Sequence, residues 1–275
     1  MKIFTINLLI ILFTLTSCTE NKYKNFEIDG DLLTFLKSND PANSFIAHSG
    51  GGIDGKIYTN SLEAINQSIS NGFKMIEIDL LITSDNYYIG GHYNWSSFKK
   101  KLSMKDKNDE ALSLADVKKK KVFGKYSPIL IDQINNIFSD NTNLYLVTDK
   151  DNNFNKMLSD FKFDNKRLIV EVFGRENYFL SIDQGIKNPL FNATVSDFDF
   201  ILDNNIKLIS VHQNELIKNK KQFRKLRDKG TFIFTYTSNE KKFINDYIDE
   251  YFDVIYTDFW NINLNKCLNI ECITY

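Results

Sequence analysis

Eight short apolar, β-rich runs recur along this chain, most of them followed by a segment of helical spacing. The runs start at Ser44, Lys74, Asn143, Arg167, Leu190, Lys207, Thr231 and Val254. Helical segments are read at Asn60–Gly72, Asn152–Phe161, Glu176–Gly185, Phe198–Asn204, Glu215–Lys229 and Glu240–Tyr251. The first is typical: Leu62, Ala64, Ile65 and Ile69 form its apolar stripe, and Gly72 stops it. Alternation of this kind argues for a parallel sheet covered by helices. Eight repeats favour a closed (β/α)8 TIM barrel over an open sheet, and no glycine-rich dinucleotide fingerprint follows the first strand. The 275 residues suit one such barrel plus a leader, and 43 % apolar content suffices for its core.

The N-terminus reads as a leader. Lys2 supplies a positive start, and Ile3 to Leu15 is an apolar run too short to span a bilayer comfortably. Leu15-Thr16-Ser17-Cys18 resembles the lipobox of bacterial lipoproteins, where the cysteine is lipidated; the alternative is an ordinary secretory signal. The expected organisation is a signal peptide over 1–17, lipidated Cys18 with a tether and capping helix over 18–40, and the barrel over 41–275. The protein would then sit in the cell envelope as a membrane-anchored lipoprotein, periplasmic or at the cell surface, held through its lipid anchor. Cys267 and Cys272 can close a short disulfide loop in an oxidising compartment, or be two unrelated thiols. A net charge of −1 gives no footprint for nucleic acid. Residues 93–128 break the rhythm: they are polar and lysine-rich, with Lys118 to Lys121 in a row. They read as a solvated surface insertion, or as a flap touching an anionic substrate or membrane.

Chemistry concentrates near the first two strands. His48 ends the first run, before Ser49 and three glycines, and His92 ends another run after Gly90-Gly91. The C-terminal ends of barrel strands form the active-site mouth. Two imidazoles there can share acid and base roles. The glycines after His48 would let the backbone approach a ligand. Between the histidines, Glu77 and Asp79 lie two apart on one strand and share a face. Two such carboxylates in a pocket repel unless a cation joins them, and oxygen ligands favour Mg²⁺ or Ca²⁺.

The ordered set His48, Tyr58-Thr59-Asn60-Ser61-Leu62-Glu63-Ala64, Glu77-Ile78-Asp79, Thr83-Ser84-Asp85 and His92 resembles the glycerophosphodiester phosphodiesterase family. That family belongs to the phosphatidylinositol-specific phospholipase C-like barrel superfamily. The detailed likeness covers Ala47 to Trp95, and Tyr256-Thr257-Asp258 extends it loosely. It implies His48 and His92 as the catalytic pair and Glu77 and Asp79 as metal-binding acids. It also implies Asn60 as a residue shaping the phosphate site. Three positions depart from the family pattern: Ser49 stands for Arg, Thr59 for Glu and Tyr93 for Asp. The family's third acid lies in a Glu-x-Lys pattern. Strict alternation here would set Thr148 and Lys150 in those places and turn Asp149 outward. Asp149 is nonetheless taken as the third metal ligand, being the only acid in its strand, with Lys150 as a phosphate partner and Glu171 as the rival ligand. His212 is expected to be structural or peripheral. Trp260 is read as core, or as a platform for a glycerol or sugar group.

The resemblance implies metal-dependent hydrolysis of a small-molecule or lipid phosphodiester with a glycerol- or polyol-like group. The alternative is a non-catalytic envelope lipoprotein that binds a phosphorylated glycan or lipid. A barrel lyase or isomerase acting on sugars is a weaker third reading.

Overall fold

The computed structural model describes residues 23–149 and 151–268. The leader, Cys18, Lys150 and Cys272 lie outside the described residues. Cys267 is disulfide-bonded.

The strands, in chain order, are β1 (Phe45–Ala47), β2 (Met75–Ile82), β3 (Tyr88–Gly90), β4 (Tyr145–Asp149), β5 (Leu168–Phe173), β6 (Asn188–Asn192), β7 (Leu208–His212), β8 (Phe232–Tyr236) and β9 (Val254–Thr257). All but β3 are parallel, and β1 pairs with both β2 and β9, which closes an eight-stranded ring. The expected TIM barrel is the observed fold. β3 lies antiparallel on β2 at the barrel's rim.

Strand alternation sorts the side chains. Inward residues in the lower barrel are apolar, among them Ile46, Met75, Val147, Ile169, Leu190, Leu208, Phe234 and Val254. The helix Gly30–Lys37 packs Leu32 into the same cluster and covers the barrel floor. Its N-cap Asp29 accepts the Asp31 N–H. Outward residues such as Ile76, Ile78, Leu146 and Val170 meet the surrounding helices in a second, larger cluster. At roughly 25 cal/mol per Å² of apolar surface, these two layers are the main source of stability.

Several elements differ from the sequence reading. The basic helix expected over Glu215–Lys229 is two helices, Gln213–Lys218 and Lys220–Asp228, broken at Asn219. The strand expected from Leu190 starts at Asn188 and ends at Asn192. A helix over Ile131–Asp140, which buries Ile131, Ile134 and Phe138, escaped the sequence reading because only these few spaced residues carry its apolar face. The insertion is folded. It carries helices Trp95–Lys101 and Leu114–Lys118, and its Trp95, Phe98, Leu102, Val117, Val122 and Tyr126 join Leu81 and Ile89 in a separate core. Lys99 is buried there, bonded to Asn108. Trp260 is core and no platform, buried and stacked on Phe45 at 5.3 Å. Among the described residues, no helix is long and apolar enough to cross a membrane.

Candidate active site

At the C-terminal ends of the strands the inward positions turn from apolar to polar. A cavity of about 480 Å³ opens there, lined by His48, Glu77, Asp79, His92, Asp149 and Glu171 together with tyrosines 58, 93, 236 and 256. The switch sits one step above the apolar floor on each strand. Met75 is floor, and Glu77 and Asp79 are site. On β4, Tyr145 and Val147 are floor and Asp149 is site. The register pairs Asp79 with Asp149, which brings the two acids side by side. Alternation therefore turns Asp149 inward beside Asp79, whereas the Glu-x-Lys pattern taken strictly would have turned it outward. The outward residue is Thr148, whose hydroxyl donates to the Ile78 carbonyl.

Glu77, Asp79 and Asp149 each offer a carboxylate oxygen within 4.8 Å of the others, and all three are buried. Like charges this close need a cation or protons between them. Three carboxylate oxygens suit a hard divalent ion, so the trio is compatible with a divalent metal site.

The trio is held from behind. The Ser49 N–H donates to Glu77 Oε2 at 2.5 Å, and its hydroxyl donates to Asp79 Oδ2 at 2.7 Å. Asn60 grips Asp79 twice: Nδ2 donates to Oδ2 at 2.9 Å, and Oδ1 accepts the Asp79 N–H at 3.0 Å. Asn60 is fully buried and does not line the cavity. Its amide faces Asp79, so it shapes the site through that carboxylate. Gly90 permits this packing, since a Cβ there would meet the Asn60 backbone at 2.9 Å. The glycines after His48 serve protein contacts as well. Gly51 has φ +92°, and its Cβ would lie 2.1 Å from Ser68 Oγ, so the close approach is to the helix Leu62–Ser70.

His48 and His92 both line the cavity. His48 Nδ1 lies 2.9 Å from Asp258 Oδ1. Asp258 Oδ2 in turn accepts from Asn239 Nδ2 at 2.9 Å, and Asn239 Oδ1 accepts the Asp258 N–H at 2.7 Å. Asp258 thus favours the His48 tautomer with its proton on Nδ1. His92 Nε2 lies 3.9 Å from Asp79 Oδ1. The Tyr58 ring stands beside both imidazoles, 4.8 Å from His48 and 4.2 Å from His92. Lys101, from the insertion, donates to the Tyr58 carbonyl at 2.7 Å. Burial lowers the Lys101 ammonium from 10.5 to about 8, and the charge of Asp79 opposes that shift.

On β5, the strand next to β4, Glu171 Oε1 accepts from Ser210 Oγ at 2.6 Å and from Asn192 Nδ2 at 2.7 Å, while Oε2 accepts from Tyr256 OH at 3.3 Å. Burial, followed by the charge of Glu171, holds the Tyr256 hydroxyl protonated well above its usual range. Glu171 stands outside the acidic trio. His212 also lines the cavity, and its Nδ1 accepts the Asn214 N–H and so caps the helix Gln213–Lys218.

Sequence reasoning thus located His48, His92, Glu77, Asp79 and Asp149 at one cavity. It gave no role to Asn239 or Lys101, quoted Tyr58 and Asp258 only within motifs, and named Glu171 only as a rival metal ligand. Only Asp258 carried a signal, as the acid closing the last strand.

No protein-family model matches the chain, and no curated protein matches it by sequence. Solved structures match it by fold. A glycerophosphoryl diester phosphodiesterase from Parabacteroides distasonis superposes with a TM-score of 0.65 at 16% identity, over 87% of this chain and 91% of that one. The glycerophosphodiester phosphodiesterase of Thermotoga maritima gives 0.64 at 17%, over 80% and 96%. An Oleispira antarctica phosphodiesterase, solved with the product sn-glycerol-3-phosphate, gives 0.62 at 14%, over 80% and 94%. The chain has the fold of these phosphodiesterases.

Proposed function

We propose that this protein is a metal-dependent phosphodiesterase acting on a small-molecule or lipid phosphodiester with a glycerol- or polyol-like group. One observation carries the reading: two histidines share a cavity with a buried trio of carboxylates, and each histidine is anchored by different neighbours. Glu77, Asp79 and Asp149 would hold Mg²⁺ or Ca²⁺, which supplies charge stabilisation at the phosphoryl oxygens when bound. His48, fixed by Asp258, takes the proton of the attacking hydroxyl on Nε2. That hydroxyl belongs to water or to the substrate itself. His92, lining the same cavity, returns a proton to the leaving alkoxide. Each proton transfer is worth about 10²–10⁴-fold. Ser49 and Asn60 keep the Asp79 carboxylate aimed into the site, and Tyr58 keeps the imidazoles in place. Lys150 is assigned to the substrate phosphate.

The likeness in fold to phosphodiesterases, one of them holding sn-glycerol-3-phosphate, supports the reading. So does the order of the motifs along the sequence. Attachment to the cell envelope through lipidated Cys18, after removal of residues 1–17, is part of the same proposal. Residues 41–275 form its catalytic domain, with 93–128 inserted.

The test is hydrolysis of glycerophosphodiesters and bis(p-nitrophenyl) phosphate with EDTA, Mg²⁺ or Ca²⁺, beside His48→Ala and His92→Ala. Metal-dependent turnover, lost in both variants with the fold intact, is expected. A fully active His92→Ala protein would sink the two-histidine mechanism.

A further inference from the structure

The insertion takes no part in the chemistry proposed above, yet it grips a loop that does. Its core includes Ile53 and Ala64, which flank Tyr58 and Asn60 on either side. Between those anchors the loop is held at several points. Lys125 and the Tyr126 hydroxyl bond Asp54. The Ser127 N–H and hydroxyl each donate to Glu63 at 2.8 Å, and the Ser127 carbonyl accepts the Leu62 N–H at 3.0 Å. Just past the insertion, the Ile129 N–H donates to the Asn60 carbonyl at 3.0 Å. Lys101 supplies the central hold. It ends the helix Trp95–Lys101, donates to the Tyr58 carbonyl at 2.7 Å and lies 5.3 Å from the centre of the Tyr58 ring. Lys99, on the same helix, bonds Asn108 within the insertion instead. Tyr58 lines the cavity and Lys101 does not. Tyr58 needs such a hold. Its φ of 56° is left-handed, as is that of Asn60 at 44°, a conformation costly for tyrosine unless its surroundings fix it. Relaxed to an extended backbone, Tyr58 would carry its ring away from the two imidazoles it touches. The same relaxation would disturb the two bonds from Asn60 to Asp79.

We infer that Lys101 is a positioning residue: by holding the Tyr58 carbonyl it sets the Tyr58 ring against His48 and His92, and it makes the insertion a brace for that pair. The effect on turnover rests on the hydrolase reading; the contact with the imidazoles does not. A guanidinium can replace the ammonium, because the contact needs one N–H donor and a cation beside the ring. An apolar side chain of similar length cannot. The insertion therefore serves the site without touching the substrate.

The experiment compares wild type with Lys101→Met, Lys101→Arg and Lys118→Met, the last a control at an exposed lysine of the same insertion. On a glycerophosphodiester, Lys101→Met should lower kcat about tenfold or more, because small misplacements of catalytic groups are costly, while KM stays within about twofold of wild type. Lys101→Arg should recover most of the loss, and Lys118→Met should match wild type. NMR of the imidazole ring protons reads the contact apart from turnover. The chain has three histidines, so His→Ala variants assign each signal. The His48 and His92 signals should shift in Lys101→Met and those of His212 should not. Unmoved His48 and His92 signals overturn the inference whatever the turnover. A raised KM with unchanged kcat overturns it too, because Lys101 would then be a substrate contact. So does a Lys118→Met protein as impaired as Lys101→Met, which would reduce the effect to the insertion's overall charge. Shifted signals in Lys101→Met, beside a wild type that cleaves no diester, keep the brace and refute the hydrolase reading. Should Lys101→Met not fold, Lys101→Gln, too short to reach the carbonyl, is read by the same signals with the same outcomes.

Discussion

Replacing Asn60 by Ala removes two buried hydrogen bonds to one residue of the acidic trio. Asn60 is fully buried and Asp79 is 2% exposed, so water cannot easily take over either bond. The Asp79 N–H loses its acceptor, at a cost of about 1–3 kcal/mol for an orphaned buried donor. The carboxylate loses one of two identified donors, Ser49 Oγ being the other. A hydrogen bond to a charged group is worth about 1.5–3 kcal/mol. Allowing for partial relaxation, the expected loss of stability is about 3 kcal/mol by urea unfolding in EDTA. Asn60 also sits at φ 44°, a left-handed conformation that Asn tolerates better than Ala, so stability alone does not identify its role. Metal affinity does. A second-layer residue of this kind typically alters it by about 10–100-fold. Calorimetric titration with Mg²⁺ or Ca²⁺ should show that weakening, while KM for a diester at saturating metal stays near the wild-type value. Unchanged metal affinity with a raised KM would refute the argument and make Asn60 a substrate contact.

Asp258→Asn should lower kcat about 10- to 100-fold through loss of the charged bond that fixes the His48 tautomer. Metal affinity should stay at the wild-type value, and a kcat within twofold of wild type would remove Asp258 from the mechanism. Lys101 is protonated in both folded and unfolded chains below about pH 8, where its low folded value gives no stability. Between about 8 and 10.5 the unfolded chain binds more protons, so its contribution grows as pH rises through that window and is lost as pH falls. Lys101→Met should abolish that gain in urea titrations at pH 7.5, 9 and 10.5; an identical pH slope in both proteins would contradict the assignment. Gly52→Ala would set a Cβ 2.2 Å from the Phe259 ring and should destabilise the fold by about 1–3 kcal/mol, measured by thermal melting. A variant as stable as wild type would mean that the loop after His48 can yield.

The barrel was legible in the chain because strand and helix periodicities differ and repeat eight times. Much of the site was legible for a related reason. Glu77 and Asp79 lie on one strand, and strand alternation alone puts them on one face. His48 and His92 stand at strand ends, where a barrel opens. The insertion core and the helix Ile131–Asp140 were hidden, because a few apolar residues among many polar ones carry those elements. The broken basic helix was hidden because its two halves share one charge pattern.

Residue spacing, then, determined the fold class and which acids share the face of β2. Tertiary structure decided everything that joins distant segments. The parity of Asp149 came from the register of β4 on β2, which no single strand encodes. Asp258 reaches His48 across 210 residues of sequence because β9 closes the ring on β1. Lys101 meets Tyr58 because a separate core folds the insertion back onto the rim. Glu171 falls outside the trio although β5 neighbours β4, because its oxygens are engaged by Ser210, Asn192 and Tyr256 from other strands. Spacing along a chain reports only neighbours within one element, and contacts between elements depend on register and closure.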